Sequence, residues 1–137
     1  MKHQVVVVRT RKADESDRTE KRKVRIAAVS KSAPGRTHDK KLYDQSRTVI
    51  PRTASGVGDT GYVGTRLQVP HKKPRNGTLT AEQKRSNRAL SRRRIVVEHG
   101  IGKMKIWKIA ADRYRNPLRR HTVMMKNVAG LHNRMFG

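Results

Sequence analysis

The sequence contains no cysteine, which excludes disulfides, zinc fingers and thiol chemistry. Its six histidines are scattered along the chain, and no close pair suggests a metal cage. Aromatic residues are scarce, with one Trp, one Phe and three Tyr, and hydrophobic residues make up only 34% of the chain. A core built from so little is thin. The longest apolar run is Val5 to Val8, far short of the ~20 residues that span a bilayer, so no membrane role is expected. No apolar segment ending in a small-residue cleavage site opens the chain, so no secretory signal is read there. The last scarcity is of acids: 10 Asp+Glu stand against 34 Lys+Arg in 137 residues, for a formal net charge of +24.

That imbalance is uneven. Asp14, Glu15, Asp17 and Glu20 fall in one short stretch, and from residue 21 onward 29 basic residues face 6 acidic ones. Such an excess repels itself unless a polyanion neutralises it, so nucleic acid is the expected partner. Phosphate contacts of this kind are strong, salt-dependent and blind to sequence. A chain of this length suits one domain.

Hydrophobic patterning predicts a mixed α/β domain. Residues 3–9 are β-branched and apolar on both faces, the pattern of a strand buried in a sheet. Residues 24–29 predict a second strand, and the polar segment between makes a hairpin over 2–30 with a long charged tip. A short helix is predicted over 37–46, with Thr37 as its N-cap. Residues 66–69 suit a short strand. Thr80 and Gln83 form a capping box that opens a long helix over 80–112, which Gly100 and Gly102 weaken. A last helix over 121–135 places Met124, Val128, Leu131 and Met135 on one stripe.

The long helix has two faces of interest. Leu90, Val97, Ile101 and Met104 make its core stripe. Beside them run Ser91, Arg94, Glu98 and Lys105, so one carboxylate sits among bases. Glu98 and Arg94 suit an intrahelical i,i+4 pair; equally, Glu98 suits a metal-binding carboxylate flanked by phosphate-contacting bases. The second reading needs another acid. Asp59, between Gly58 and Gly61, is the candidate, because glycines let backbone or substrate approach closely. An Asp in a Gly-rich turn is also common without any function.

These signals converge on a resemblance. The segment GDTGYVG (58–64) resembles the GD-x-GY-x-G box of bacterial insertion-sequence transposases of the DDE class. Arg94, Glu98 and Lys105 keep the spacing of that group's Y-x2-R-x3-E-x6-K signature, with Ser91 where Tyr is expected. Thirty-eight residues separate Asp59 from Glu98, which suits the family. The stretches SAPGRTHDKKLYD (32–44), HKKPRNGTLTAEQKRSNRALS (71–91), DRYRNPLRRH (112–121) and VAGLHNRM (128–135) are similar too, in the right order. The resemblance implies a ribonuclease-H-like fold, a mixed sheet with flanking helices, on which three acids hold two Mg2+ (or Mn2+) ions. It implies Asp59 and Glu98 as catalytic metal ligands, Arg94 and Lys105 as contacts to transposon-end DNA, and the bacterial cytoplasm, at the nucleoid, as the location. Carboxylates are the hard ligands Mg2+ prefers. Two such ions suit an in-line phosphodiester displacement. His38-Asp39 matches a family box, and the dipole at a helix N-terminus is reason enough for Asp39.

One departure matters. The family's first acid lies on a strand upstream of HQVVVV, and Asp14 and Asp17, in the hairpin tip, are poor substitutes. The chain is therefore expected to be the C-terminal catalytic part, 1–137, of a transposase whose first strand is missing: a truncation, or a partner of the N-terminal half of a split enzyme or of its own copies. Alone it is expected to be inactive. The competing expectations are a ribosomal-like structural nucleic-acid binder and a regulatory fragment that binds transposon ends.

Overall fold

The computed structural model describes residues 1–9 and 23–137. The charged hairpin tip, with Asp14, Glu15, Asp17 and Glu20, lies outside the described residues. The chain divides into two compact units, one of Met1–Gly35 with Val96–Gly137 and one of Arg36–Ile95.

The first unit is built on two antiparallel strands, β1 (Val5–Arg9) and β2 (Val24–Val29). The inward apolar residues of β2, Ile26 and Val29, are three apart, which a regular strand would point to opposite faces. A bulge opposite Val6 and Val7 resolves this: Val5 pairs with Val29 and Val7 with Ile26, so all four reach the core. β1 is only half-buried, not covered on both faces as its composition predicts. The sheet has two strands and packs one face, so Val8 is left 45% exposed.

That face is covered by α4 (His121–Phe136). Its buried residues are His121, Met125, Val128, Ala129 and His132. The predicted stripe is thus wrong at its far end: Leu131 is 42% and Met135 57% exposed, whereas Met125 is 1% exposed. The rotation follows from Asn133. Its Oδ1 accepts from the Ile26 backbone N–H at 2.7 Å, and its Nδ2 donates to the Ile26 carbonyl at 2.8 Å. Turning Leu131 and Met135 inward would break both bonds.

The long helix, α2, spans Ala81–Met104. Its capping box forms, with the Thr80 Oγ1 accepting from the Gln83 N–H and the Gln83 Oε1 accepting from the Thr80 N–H. It stops eight residues short of 112. Met104 and Trp107 both turn into the core of Ile26, Val128 and Ala129, and the extended backbone of Trp107 ends the helical path between them. A short α3 (Lys108–Ala111) follows. Gly100 is buried, and a Cβ built on it would lie 3.2 Å and 3.3 Å from the two Val7 methyls. Gly102, by contrast, faces open space.

In the second unit, α1 (Asp39–Ser46) is capped by His38, whose Nδ1 accepts from the Lys40 N–H at 3.3 Å, rather than by Thr37. Residues 66–69 form no strand. A single parallel bridge joins Val57 and Gln68. The described residues are thus a mixed α/β chain with one two-stranded sheet. None of the described helices is long and apolar enough to cross a membrane.

His3 and His121, distant in sequence, place their ring centroids 5.6 Å apart. The His121 Nδ1 is 2.5 Å from the Ser32 hydroxyl. Burial is the main force lowering the pKa of both below the ordinary 6.5.

Three outcomes are expected. Asn133→Ala leaves two backbone groups without their partner and costs about 1–3 kcal/mol in urea unfolding; unchanged stability would refute the rotation argument. Gly102→Ala stabilises by roughly 0.5–1 kcal/mol, while Gly100→Ala gains nothing, because the new methyl meets Val7. Both histidines fold neutral, so the unfolded chain binds more protons below their ordinary pKa. Their contribution is complete above pH 6.5 and is lost as pH falls below it. Urea midpoints at pH 7.5 and 5 should therefore fall with acidity, and less steeply in His3→Gln.

Candidate active site

Asp59 follows the Val57–Gln68 bridge, where the Gly58 N–H donates to the Gln68 carbonyl at 2.9 Å and the Gln68 N–H to the Gly56 carbonyl at 2.9 Å. Asp59, two residues past Val57, keeps an extended backbone. Asp59 then caps a single 3₁₀ turn, Thr60–Tyr62, and its Oδ1 accepts from the Gly61 N–H at 2.8 Å. The side chain is half-buried, with one oxygen oriented by its own loop. The simple reading, an Asp in a Gly-rich turn, is thus correct as local structure, and it leaves a carboxylate in a fixed pose.

A second carboxylate stands beside it. A Cβ built on Gly61 would lie 2.6 Å from the Asp39 Oδ2 and 3.0 Å from the Asp59 Oδ1. In the sequence Asp39 stands in a family box with His38 and suits the dipole of a helix N-terminus. The spacing of 39 and 59 carries no periodic signal, so nothing in the sequence alone brings them together.

The α2 residues are distributed as follows. Arg94, like Asp59, belongs to the second unit; Glu98 and Lys105 belong to the first. Arg94 is half-buried and Glu98 exposed. No ion pair links Glu98 to Arg94 among the described residues, so the intrahelical pair does not form. Lys105 stands just past the end of α2, its N–H still donating to the Ile101 carbonyl at 3.1 Å. Among the described residues no three His, Asp or Glu side chains gather as a metal-binding group.

Other α2 side chains fasten the second unit, and the sequence did not single them out. The Asn87 Oδ1 accepts from the His71 N–H at 2.8 Å, and its Nδ2 donates to the His71 carbonyl at 3.0 Å. Arg93 donates to the Gln68 Oε1 at 2.7 Å and so braces the partner of the Val57 bridge. Beyond the Asp59 loop an open cleft of about 630 Å3 is bordered by Tyr43, Arg47, Ile50, Gly64 and Arg66.

Residues 19–133 match the DDE superfamily endonuclease family. Over 104 residues the chain is 38% identical to a protein named as a transposase for insertion sequence element IS702, from Microchaete diplosiphon; the match covers 72% of this chain and 38% of that protein. Over 112 residues it is 29% identical to one named as a transposase for insertion sequence element IS112, from Streptomyces albus G, covering 79% of this chain and 43% of the relative. The chain thus spans about two fifths of the length of either relative. No solved structure matches it. The ordered boxes, the Asp59 loop and the family match agree: the chain belongs to the DDE superfamily endonucleases, among the transposases of bacterial insertion sequences.

Proposed function

We propose that this chain supplies the Asp59 and Glu98 part of a ribonuclease-H-like catalytic domain that cuts and joins DNA at transposon ends. The observation that carries the reading is the Asp59 loop. Its carboxylate is held by the Gly61 N–H at 2.8 Å and half-exposed, and by the resemblance it would be the second acid of the family's box. The donor chemistry fits the divalent ion that DDE endonucleases use. Carboxylate oxygen is the ligand type Mg2+ and Mn2+ prefer, and a fixed ligand spends less freedom on binding. Asp59 and Glu98 would hold the ions.

Bound there, two such ions supply activation of the attacking oxygen and stabilisation of the leaving one. The residues of the chain do the rest. Asp59 and Glu98 place negative charge where few acids exist to compete, since the chain holds 10 acids against 34 bases. Arg94 and Lys105 hold backbone phosphates flanking the scissile bond. The remaining bases give sequence-blind affinity for the duplex. In this reading residues 37–69 form the Asp59 box, 80–112 carry Glu98, and 121–135 back the sheet. The family's first acid comes from the other half of the enzyme or a second copy, and the chain alone does not turn over.

A nicking assay on a transposon-end duplex with Mg2+, alone and with the intact enzyme added, tests this. The chain alone is expected to bind DNA with a steep salt dependence and to leave it uncut. Cutting by the chain alone that falls at least 100-fold in both Asp59→Ala and Glu98→Ala would place the site correctly and overturn its inactivity. Cutting untouched by either substitution would sink the site assignment. Inhibition of the intact enzyme would favour a regulatory fragment; DNA binding with neither cutting nor inhibition, a structural binder.

A further inference from the structure

Two sequence boxes that stand apart in the chain meet in the second unit. The first is the THDKKLY segment, Thr37–Tyr43, which becomes the start of α1; the second is the GDTGYVG loop, 58–64. Three residues on one side of α1 touch the loop. Asp39 lies against Gly61. The Lys40 side chain lies against Gly64, with its Cε 3.2 Å from where a Cβ would stand, and Gly64 has a φ of +83°, a conformation that favours glycine. Tyr43 meets Tyr62 edge to face, with ring centroids 6.1 Å apart. Positions i, i+1 and i+4 fall within about 100° of a helix surface, so one face of α1 makes all three contacts.

We infer that Asp39 is a positioning residue for Asp59, acting through Gly61. The Gly61 N–H is the group that fixes the Asp59 carboxylate, and Asp39 packs on the same residue. There is no room at Gly61 for a side chain. A Cβ on it would lie 2.6 Å from one carboxylate oxygen and 3.0 Å from another. Asp39 thereby sets the height of the turn and the direction of the Asp59 side chain. Lys40, tied to Asp44 at 2.8 Å, and Tyr43 fix α1 itself against the loop. The inference rests on the reading of Asp59 as a cation ligand, and assigns a task to Asp39, which that reading leaves unused.

The role is one of shape. Asparagine has the shape of aspartate without its charge, so Asp39→Asn should preserve the turn and Asp39→Ala should not. The test uses the full chain labelled with 15N-glycine and 15N-asparagine, and two readouts. The first is hydrogen exchange and chemical shift at the Gly61 amide. Asp39→Ala is expected to lower its protection at least 10-fold and Asp39→Asn to leave it within about threefold of wild type; Gly61→Ala is expected to behave like Asp39→Ala in the second readout. The side-chain amide of Asn133 reports that the first unit remains folded. Should Asp39→Ala unfold the chain, Asp39→Ser, too short to reach Gly61, carries the same expectation. The second readout is titration with Mn2+ alone. Supporting groups of metal ligands typically change affinity 10–100-fold. Asp39→Ala should therefore weaken Mn2+ by about that much, and Asp39→Asn by no more than about threefold.

An unchanged Gly61 amide in Asp39→Ala overturns the inference. So does an Asp39→Asn variant that loses Mn2+ as fully as Asp39→Ala with its Gly61 amide intact, since Asp39 would then act by its charge as a ligand. Mn2+ binding indifferent to Asp59→Ala overturns the cation reading instead, and the Gly61 amide alone then decides whether Asp39 sets the turn.

Discussion

Each unit depends on a side-chain amide that grips both polar groups of one backbone residue. Asn133 holds the N–H and carbonyl of Ile26; Asn87 holds those of His71. The reason is the thin core. With 34% hydrophobic residues, apolar burial alone cannot specify how a helix lies on a two-stranded hairpin. The Ile26 backbone groups are partly buried and must find partners, and a planar amide offers a donor and an acceptor at the right separation; the Asn87 pair makes the same grip at an exposed site. The bond thus sets direction where packing sets only proximity. In α4 it chooses between two overlapping apolar stripes that share Val128.

The Asp59 loop uses the same economy at smaller scale. Its carboxylate is fixed by its own backbone, through the Gly61 N–H, rather than by a distant base. In a chain with 34 Lys+Arg this is a meaningful choice. An arginine paired with the carboxylate would compete with a cation for its oxygens, whereas the backbone amide engages one oxygen without bringing a charge. Glu98 likewise makes no ion pair to Arg94 among the described residues.

Local signals were legible in the sequence. The Thr80–Gln83 capping box, the two strands and the Gly-rich turn around Asp59 depend on residues within a few positions of one another, and each forms. What the sequence hid depends on distant partners. α2 ends at the extended backbone of Trp107, whose side chain packs in the core of Ile26 and Val128, and the buried face of α4 follows from Asn133 reaching Ile26, 107 positions away. His38 displaced Thr37 as the cap of α1 because the helix begins two residues later than the apolar pattern suggests. The candidate site divides in the same way. Asp59 and Glu98 were marked by motif spacing, while Asp39 entered only because α1 lies on the loop. The roles of Asp59, Glu98, Arg94 and Lys105 rest on the family's motif.

The helix that carries Glu98 shows how so polar an element is kept in place. α2 runs 24 residues, yet its buried members are only Gly100 and Met104. Its anchors come in two sets. Asn87 and Arg93 bind the second unit by hydrogen bonds to His71 and Gln68, and Gly100 and Met104 pack into the first. Arg94 to Glu98 lies between the sets, at the boundary of the two units. Gly100 saves side chains in the first unit: with none of its own it brings the helix backbone to Val7 one turn before Met104, so that two residues suffice where a longer apolar stripe would otherwise be required.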